Sequence, residues 1–394
     1  MMKPKPSLHL FCRVVDNFGD IGVCWRLARQ LHSEHGFQLH LWVDDLASFQ
    51  VLCAEVQIDA SSQTVQQIQI HHWREVPAQD WALVAQADVI IEAFACELPS
   101  ALVQAMATQE HPPCWINLEY LSAESWVAGC HGLLSVHPQL GLKKYFYFPG
   151  FSEQTGGLLY EADYTARQQA FLANPAAREA FLVRHFSAKQ NAAWAALCEA
   201  GMDANAGDLC VSLFCYPSAP VVDLLSVCAN APGKTLCFVP QGVAEAAITA
   251  FFGEPAVVGQ VYQRGALSLF VLPFMSQVEY DQLLWSCDVN FVRGEDSFVR
   301  AQLAGKPFVW QIYPQEEQVH YLKLEAFLQQ YLRNCATAEQ VSALWHAWNC
   351  AANVDQQLPQ FAREIQGHAT QWALQLHQAG DLATRLVQFI EKIS

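Results

Sequence analysis

The chain has 394 residues, 52% hydrophobic, 12% aromatic and 15% charged, which excludes a disordered polypeptide and supplies apolar material for two cores of roughly 150 to 200 residues each. A formal net charge of −16, with no cluster of Lys and Arg interleaved with aromatics, argues against nucleic acid as a partner. The 14 Cys are scattered, with no Cys-x-x-Cys pair and no Cys/His grouping at zinc-finger spacing; thiols such as Cys210, Cys215 and Cys237 read as small buried hydrophobes of a reducing cytoplasm.

Residues 8–15 read as a buried strand, followed by a turn at 16–20 and a helix with Val23, Leu27 and Leu31 on one face. That is the opening of a βαβ unit. The run at 8–15 is too short for a secretory signal and leads straight into Asp16, and no segment is long and apolar enough to span a bilayer, so no membrane partner is expected. The turn Asp16-Asn17-Phe18-Gly19-Asp20-Ile21-Gly22, with Asp44 and Asp45 some twenty residues later, has the layout of a dinucleotide site. Its glycine fingerprint is incomplete, however, and Asp20 would turn negative charge toward any pyrophosphate there. Other readings stay open. Asp16 and Asn17 could form an Asx turn with Asp20 capping the helix; Asp20 could face a cleft as a base or cation binder; Asp44 and Asp45 could hold a metal or lie in a solvated turn.

Strands continue at 39–43, 89–94 and 115–118, with Pro99 starting an intervening helix, so the first sheet is expected to be mostly parallel. Gly150, Gly156 and Gly157 mark loops, and an Ala- and Gln-rich helical stretch runs from Tyr164 to Ala200. The rhythm resumes with strand-like runs at 209–215, 235–239, 268–272, 288–292 and 307–311, and the tail from about 316 is helical. The expected organisation is α/β: a Rossmann-like domain at 1–160, a helical linker region at 161–205, and a second Rossmann-like domain at 206–379. The last helix, about 380–394, is a candidate to pack back on the first domain. Two such domains facing a cleft make an ordinary ligand site.

The densest chemistry lies between Asp288 and Trp310, a strand, a charged loop, a helix and a strand. Arg293 and the N–H groups of the helix start suit a diphosphate, while Glu295 and Asp296 do not; those acids suit sugar hydroxyls or a centre of developing positive charge. Other loops at the carboxyl ends of second-domain strands bring Phe214 and Tyr216, then Phe274 and Gln277. The aromatics could stack a base or be core. Gln277 could read the base edge, and Asp296 and Ser297 could supply an oxygen cage and helix-turn N–H groups.

Three blocks carry a resemblance: 14–29, from Val14-Val-Asp-Asn-Phe-Gly-Asp-Ile-Gly to Arg29; Phe148-Pro-Gly-Phe151 with Thr155-Gly-Gly157; and Arg293-Gly-Glu-Asp-Ser-Phe-Val-Arg through Trp310. Together they closely resemble the bacterial protein-arginine rhamnosyltransferases that modify translation elongation factor P, the EarP family, over essentially the whole chain. The resemblance implies a GT-B glycosyltransferase architecture, with dTDP-β-L-rhamnose in the C-terminal domain and elongation factor P docking mainly at the N-terminal domain. It also implies inverting transfer to an arginine side chain, no metal and no cofactor, and a modified factor active on ribosomes stalled at polyproline. On this sequence Asp16 and Asp20 fall in the family's N-terminal catalytic motif, with Asp20 matching the proposed base. Arg293, Glu295, Asp296 and Ser297 match the donor motif, Glu295 as a further catalytic candidate, and Phe214, Tyr216, Phe274 and Gln277 are placed near the nucleotide. Two alternatives remain: another GT-B sugar-nucleotide enzyme, such as an epimerase or small-acceptor transferase, and a non-catalytic module that binds a translation factor.

Overall fold

Strands such as Val89-Ile-Ile-Glu-Ala93, Leu209-Cys-Val-Ser-Leu213 and Leu267-Ser-Leu-Phe-Val-Leu272 are buried at every position, as strands covered by helices on both faces must be. They belong to a computed structural model that describes residues 5–16, 18–73, 80–199, 201, 207–314, 320–352, 354 and 358–393. Asn17 of the first turn and Ala200 at the end of the helical stretch lie outside the described residues, as do 202–206 and the start of the helical tail at 316–319. The chain groups into two units, Met1–Ala162 with Leu376–Ser394, and Asp163–Gln375.

The first unit is built on eight strands: β1 (Ser7–Cys12), β2 (Gln38–Val43), β3 (Ser62–Val65), β4 (Ile68–His72), β5 (Val89–Ala93), β6 (Cys114–Leu118), β7 (Leu134–Val136) and β8 (Lys143–Tyr147). Their order is β3-β4-β2-β1-β5-β6-β8-β7, with antiparallel pairing only where β3 and β7 join the edges. The chain runs outward from β1 through β2 to β4, then returns to β5 on the other side of β1. The carboxyl ends of β1 and β5 therefore flank a topological switch point. The first strand stops at Cys12, short of the expected 15. Beyond it Val14 N–H is taken by the Asp44 carboxylate at 2.8 Å and Val15 N–H by that of Asp20 at 2.8 Å, so neither joins the ladder. The strand expected to end at 94 stops at Ala93 because Phe94 turns left-handed, φ 57°.

The second unit holds β9 (Leu209–Leu213), β10 (Thr235–Pro240), β11 (Val261–Arg264), β12 (Leu267–Leu272), β13 (Val289–Arg293) and β14 (Phe308–Gln311), ordered β11-β12-β10-β9-β13-β14, all parallel except β11. Its switch point lies between β9 and β13. Across the expected linker region, the helices Tyr164–Leu172, Pro175–His185 and Ala188–Glu199 group with this unit. They are tied to it by hydrogen bonds from Arg178 Nη2 to Ser286 O (2.5 Å) and Gln190 Nε2 to Val271 O (2.9 Å). The helix Leu382–Ile393 packs Leu382, Leu386 and Ile390 into the core of the first unit. Among the described residues, no helix is long and apolar enough to cross a membrane.

Candidate active site

In the first unit the loop after β1 folds onto the start of the helix Gly19–Ser33, and Asp20 is the reason. Asp20 is 2% exposed. Oδ2 accepts from Val15 N at 2.8 Å and Asp16 N at 2.9 Å, and Oδ1 accepts from the Tyr120 hydroxyl at 3.0 Å. Asp20 therefore does not cap the helix, whose N-cap is Phe18 without a side-chain cap hydrogen bond; from inside the first turn it reaches back and holds the preceding loop. Asp16 is half-buried and lies against Gly19, where an added Cβ would come within 2.6 Å of Asp16 Oδ2. The other wall follows β5. There Phe94, Ala95 and Glu97 hold φ of 57°, 51° and 58°, left-handed values that non-glycine residues keep only when the surroundings impose them. Phe94 N donates to Leu118 O, Ala95 N donates to Asn117 Oδ1, and the Phe94 ring stacks on Tyr120 at 4.2 Å. The strained loop therefore buttresses the phenol that touches Asp20. Asp44 and Asp45 have structural duties: Asp44 is buried and holds Val14 N–H, and Asp45 caps the helix Leu46–Leu52 by accepting from Ser48 N (3.0 Å). This differs from a solvated turn.

In the second unit β9 and β13 deliver their carboxyl ends side by side. Arg293, the last residue of β13, lays its guanidinium over both Phe214 and Tyr216, 4.6 Å from each ring centroid. Such cation–π contacts fix the direction of a planar cation that still has edge donors to offer. Tyr216 is buried and its N–H donates to Gln311 Oε1 at 2.7 Å, while Gln311 Nε2 donates to Ser218 Oγ at 3.1 Å, so β14 holds the loop after β9. Gly294 turns left-handed at φ 63°, with its carbonyl accepting from Trp310 Nε1 at 2.8 Å, and the helix Asp296–Leu303 begins at once. Ser297 Oγ closes the turn by accepting from Arg293 N (3.1 Å) and donating to Arg293 O. Glu295 occupies the N-cap position without a side-chain cap hydrogen bond. Asp296 Oδ2 accepts from Gln277 Nε2 at 3.1 Å, which joins this helix to the start of the helix Gln277–Ser286. Phe274 lies in the loop before Gln277 and is 37% exposed.

With both clusters described, comparison with known proteins decides between the alternatives. The profile of the elongation factor P (EF-P) rhamnosyltransferase family EarP matches residues 8–391. The chain belongs to the EarP family. It is 47% identical over 393 residues to the protein-arginine rhamnosyltransferase of Pseudomonas putida, covering 98% of both chains. To that of Pseudomonas aeruginosa it is 44% identical, covering 97% of this chain and 98% of that one. A solved structure concerned with EarP-mediated arginine glycosylation of translation elongation factor EF-P is 35% identical, with a TM-score of 0.64, covering 98% of this chain and 99% of that one. The two doubly wound units and this likeness give the chain a GT-B fold.

For this EarP-family chain, the structure brings Phe214, Tyr216, Arg293 and Ser297 together and joins Gln277 to Asp296, while Asp16 and Asp20 gather in the first unit. Three polar residues were not visible as candidates in the sequence: Tyr120, Gln311 and Tyr280. Tyr280 follows Gln277 on the same helix, its ring 5.6 Å from Phe214 and its hydroxyl buried; burial, then the Asp296 charge, pushes its pKa well up, so it stays a neutral phenol. None of the three sits in a motif, and each meets its partner only through the fold. Burial likewise pushes the thiols of Cys210 and Cys215 up to about 12, so both are protonated at neutral pH.

Proposed function

We propose that this chain transfers an L-rhamnosyl group from dTDP-β-L-rhamnose to an arginine side chain of translation elongation factor P, with inversion and without a metal or cofactor. The observation that carries the reading is Arg293, fixed over Phe214 and Tyr216 at the carboxyl end of β13 and directly before a helix N-terminus, in a chain of the EarP family. A diphosphate set there meets a preoriented guanidinium and the positive end of the helix dipole, which together stabilise it as a leaving group.

A guanidinium nitrogen of the acceptor attacks the anomeric carbon from the face opposite dTDP. The C–N bond forms while the C–O bond to the diphosphate breaks, and its electron pair leaves on the diphosphate oxygen. An arginine side chain holds its proton to about pH 13.8 and a carboxylate in water to about 3.9, so prior deprotonation is out of reach. Asp20 instead holds the guanidinium, together with Asp16, and accepts the proton as the C–N bond forms and the nitrogen becomes acidic. Glu295 is assigned to a sugar hydroxyl or to the oxocarbenium character of the transition state.

The test is the intact mass of purified elongation factor P after incubation with this protein and dTDP-rhamnose. One added deoxyhexosyl residue is expected, absent when the acceptor arginine is replaced by lysine. An unchanged mass with folded protein overturns the proposal.

A further inference from the structure

Two helices start at the second-unit cluster. The helix Gln277–Ser286 presents Gln277 and the helix Asp296–Leu303 presents Asp296, joined at 3.1 Å. Four residues further along each helix, one turn behind that contact, a second pair joins them. Arg300 Nε donates to Asp281 Oδ1 at 2.8 Å and Nη2 donates to Oδ2 at 2.5 Å, a bidentate ion pair with both side chains 0% exposed. The Arg300 guanidinium also lies over the Tyr164 ring at 4.3 Å, and the Tyr164 hydroxyl accepts from Trp285 Nε1 at 2.8 Å, returning to the first helix.

A fully buried ion pair is a poor choice for stability alone, because desolvation offsets most of its attraction and apolar residues of similar volume often do as well. Its bidentate geometry, however, tolerates little rotation or sliding of one helix against the other. We infer that Asp281 and Arg300 are positioning residues for the donor: their ion pair sets the register of the two helices, and with it the placement of Gln277, Asp296 and the turn that carries Arg293. The inference rests on the donor reading given above. It gives the pair no contact with the sugar nucleotide.

The test compares the full-length protein with the double variant Asp281→Leu/Arg300→Met and the single variant Arg300→Lys, the latter keeping the charge and losing the fork. Thermal melting, titration with dTDP-rhamnose, and steady-state transfer to elongation factor P are read for each. The double variant is expected to melt close to the parent while its donor Kd and donor KM rise about tenfold to a hundredfold, equivalent to roughly 1.4 to 2.8 kcal/mol of lost binding free energy. The acceptor KM should stay put, and kcat at saturating donor should fall far less than donor affinity. If the double variant does not fold, Arg300→Lys decides, with a smaller rise in donor Kd expected. Parent-like donor binding in the folded variant that decides would overturn the inference, whatever happens to its melting temperature. Failure of the parent itself to bind dTDP-rhamnose would instead sink the donor reading, and the positioning role with it.

Discussion

Asp20 carries hydrogen bonds from Val15 N–H, Asp16 N–H and the Tyr120 hydroxyl on a single carboxylate, so replacing it threatens the loop as well as the proposed proton transfer. Asparagine is the informative change. Its oxygen can still accept from the two backbone N–H groups and its amide can face Tyr120, while its basicity is gone. For Asp20→Asn we expect donor binding unchanged by titration and transfer lowered by about a hundredfold to ten-thousandfold, the range for a lost general base; parent-like transfer rates would remove Asp20 from the chemistry. Asp16 can be tested without altering it. A Cβ at Gly19 would sit 2.6 Å from Asp16 Oδ2 and push that carboxylate aside, while alanine in place of glycine at a helix start costs the helix nothing. Gly19→Ala should therefore hold or raise the melting temperature and lower kcat. Equal kcat in the two proteins would show that the position of Asp16 is immaterial. On the donor side, Arg293→Ala should weaken dTDP-rhamnose binding roughly ten- to a hundredfold, since charge-assisted hydrogen bonds contribute about 1.5–3 kcal/mol. Lysine should restore only part of this, having no planar fork to lie over Phe214 and Tyr216. Unaltered affinity in the alanine variant would rule out the diphosphate role.

At the level of strands and helices, β1, β2 and β4 share a ladder of imidazoles that has no part in the proposed transfer chemistry. His9 stacks on His40 at 4.3 Å with the rings 1° from parallel, His40 stacks on His71 at 5.3 Å, and Trp42 Nε1 donates to His9 Nδ1 at 2.9 Å. Burial, then the neighbouring imidazoles, pulls His9 down to about 2; burial, then His40, pulls His71 down to about 4; His40 is lowered by burial. Against an unfolded imidazole at 6.5, the folded ladder refuses protons that the unfolded chain accepts. Stability is then full above pH 6.5 and falls as the pH drops, down to about 4 for His71 and about 2 for His9. The buried His9 alone contributes a slope of about 1.4 kcal/mol per pH unit inside its window. In His9→Gln, which keeps an acceptor for Trp42, the melting temperature should fall less steeply between pH 7 and pH 5 than in the parent; identical slopes would refute the assignment. The same strands mark where sequence reading succeeds and fails. β1, β2 and β5 are apolar and bounded by turn residues, so periodicity finds them. The β3–β4 hairpin goes unseen because its strands, Ser-Gln-Thr-Val and Ile-Gln-Ile-His-His, are short and carry only three aliphatics between them, and its two-residue turn places Gln66 and Gln67 at φ 49° and 66° where glycine or asparagine would normally announce it.

Across the whole molecule, the residues most legible in sequence are those packed into contiguous motifs, Asp16 to Asp20 and Arg293 to Ser297, while Phe214, Tyr216, Phe274 and Gln277 are found from their places after strands. The unforeseen residues act at long range: Tyr120 reaches Asp20 across 100 positions and Gln311 reaches Tyr216 across 95. Long-range closure also defines the first unit, which takes its final helix from the far end of the chain. Leu382 N donates to Leu158 O at 2.8 Å, Arg385 Nη1 donates to Ser152 O at 3.1 Å, and Gln30 Nε2 donates to Asp381 Oδ1 at 3.0 Å. Gly157 is required at this seam, since at φ 77° a Cβ there would meet Gly380 O at 2.7 Å. Burying Leu382, Leu386 and Ile390 contributes about 4.5–9 kcal/mol at 1.5–3 kcal/mol per side chain, comparable with the 5–15 kcal/mol that holds a whole domain folded. Ending the chain at Gln375 should therefore unfold the first unit while sparing the second, which contains every proposed donor-binding residue. Calorimetry should lose one transition, titration with dTDP should still detect a site, and binding of elongation factor P should vanish. If the truncated chain still bound and modified the factor, the helix would be an accessory to the first unit rather than part of its core.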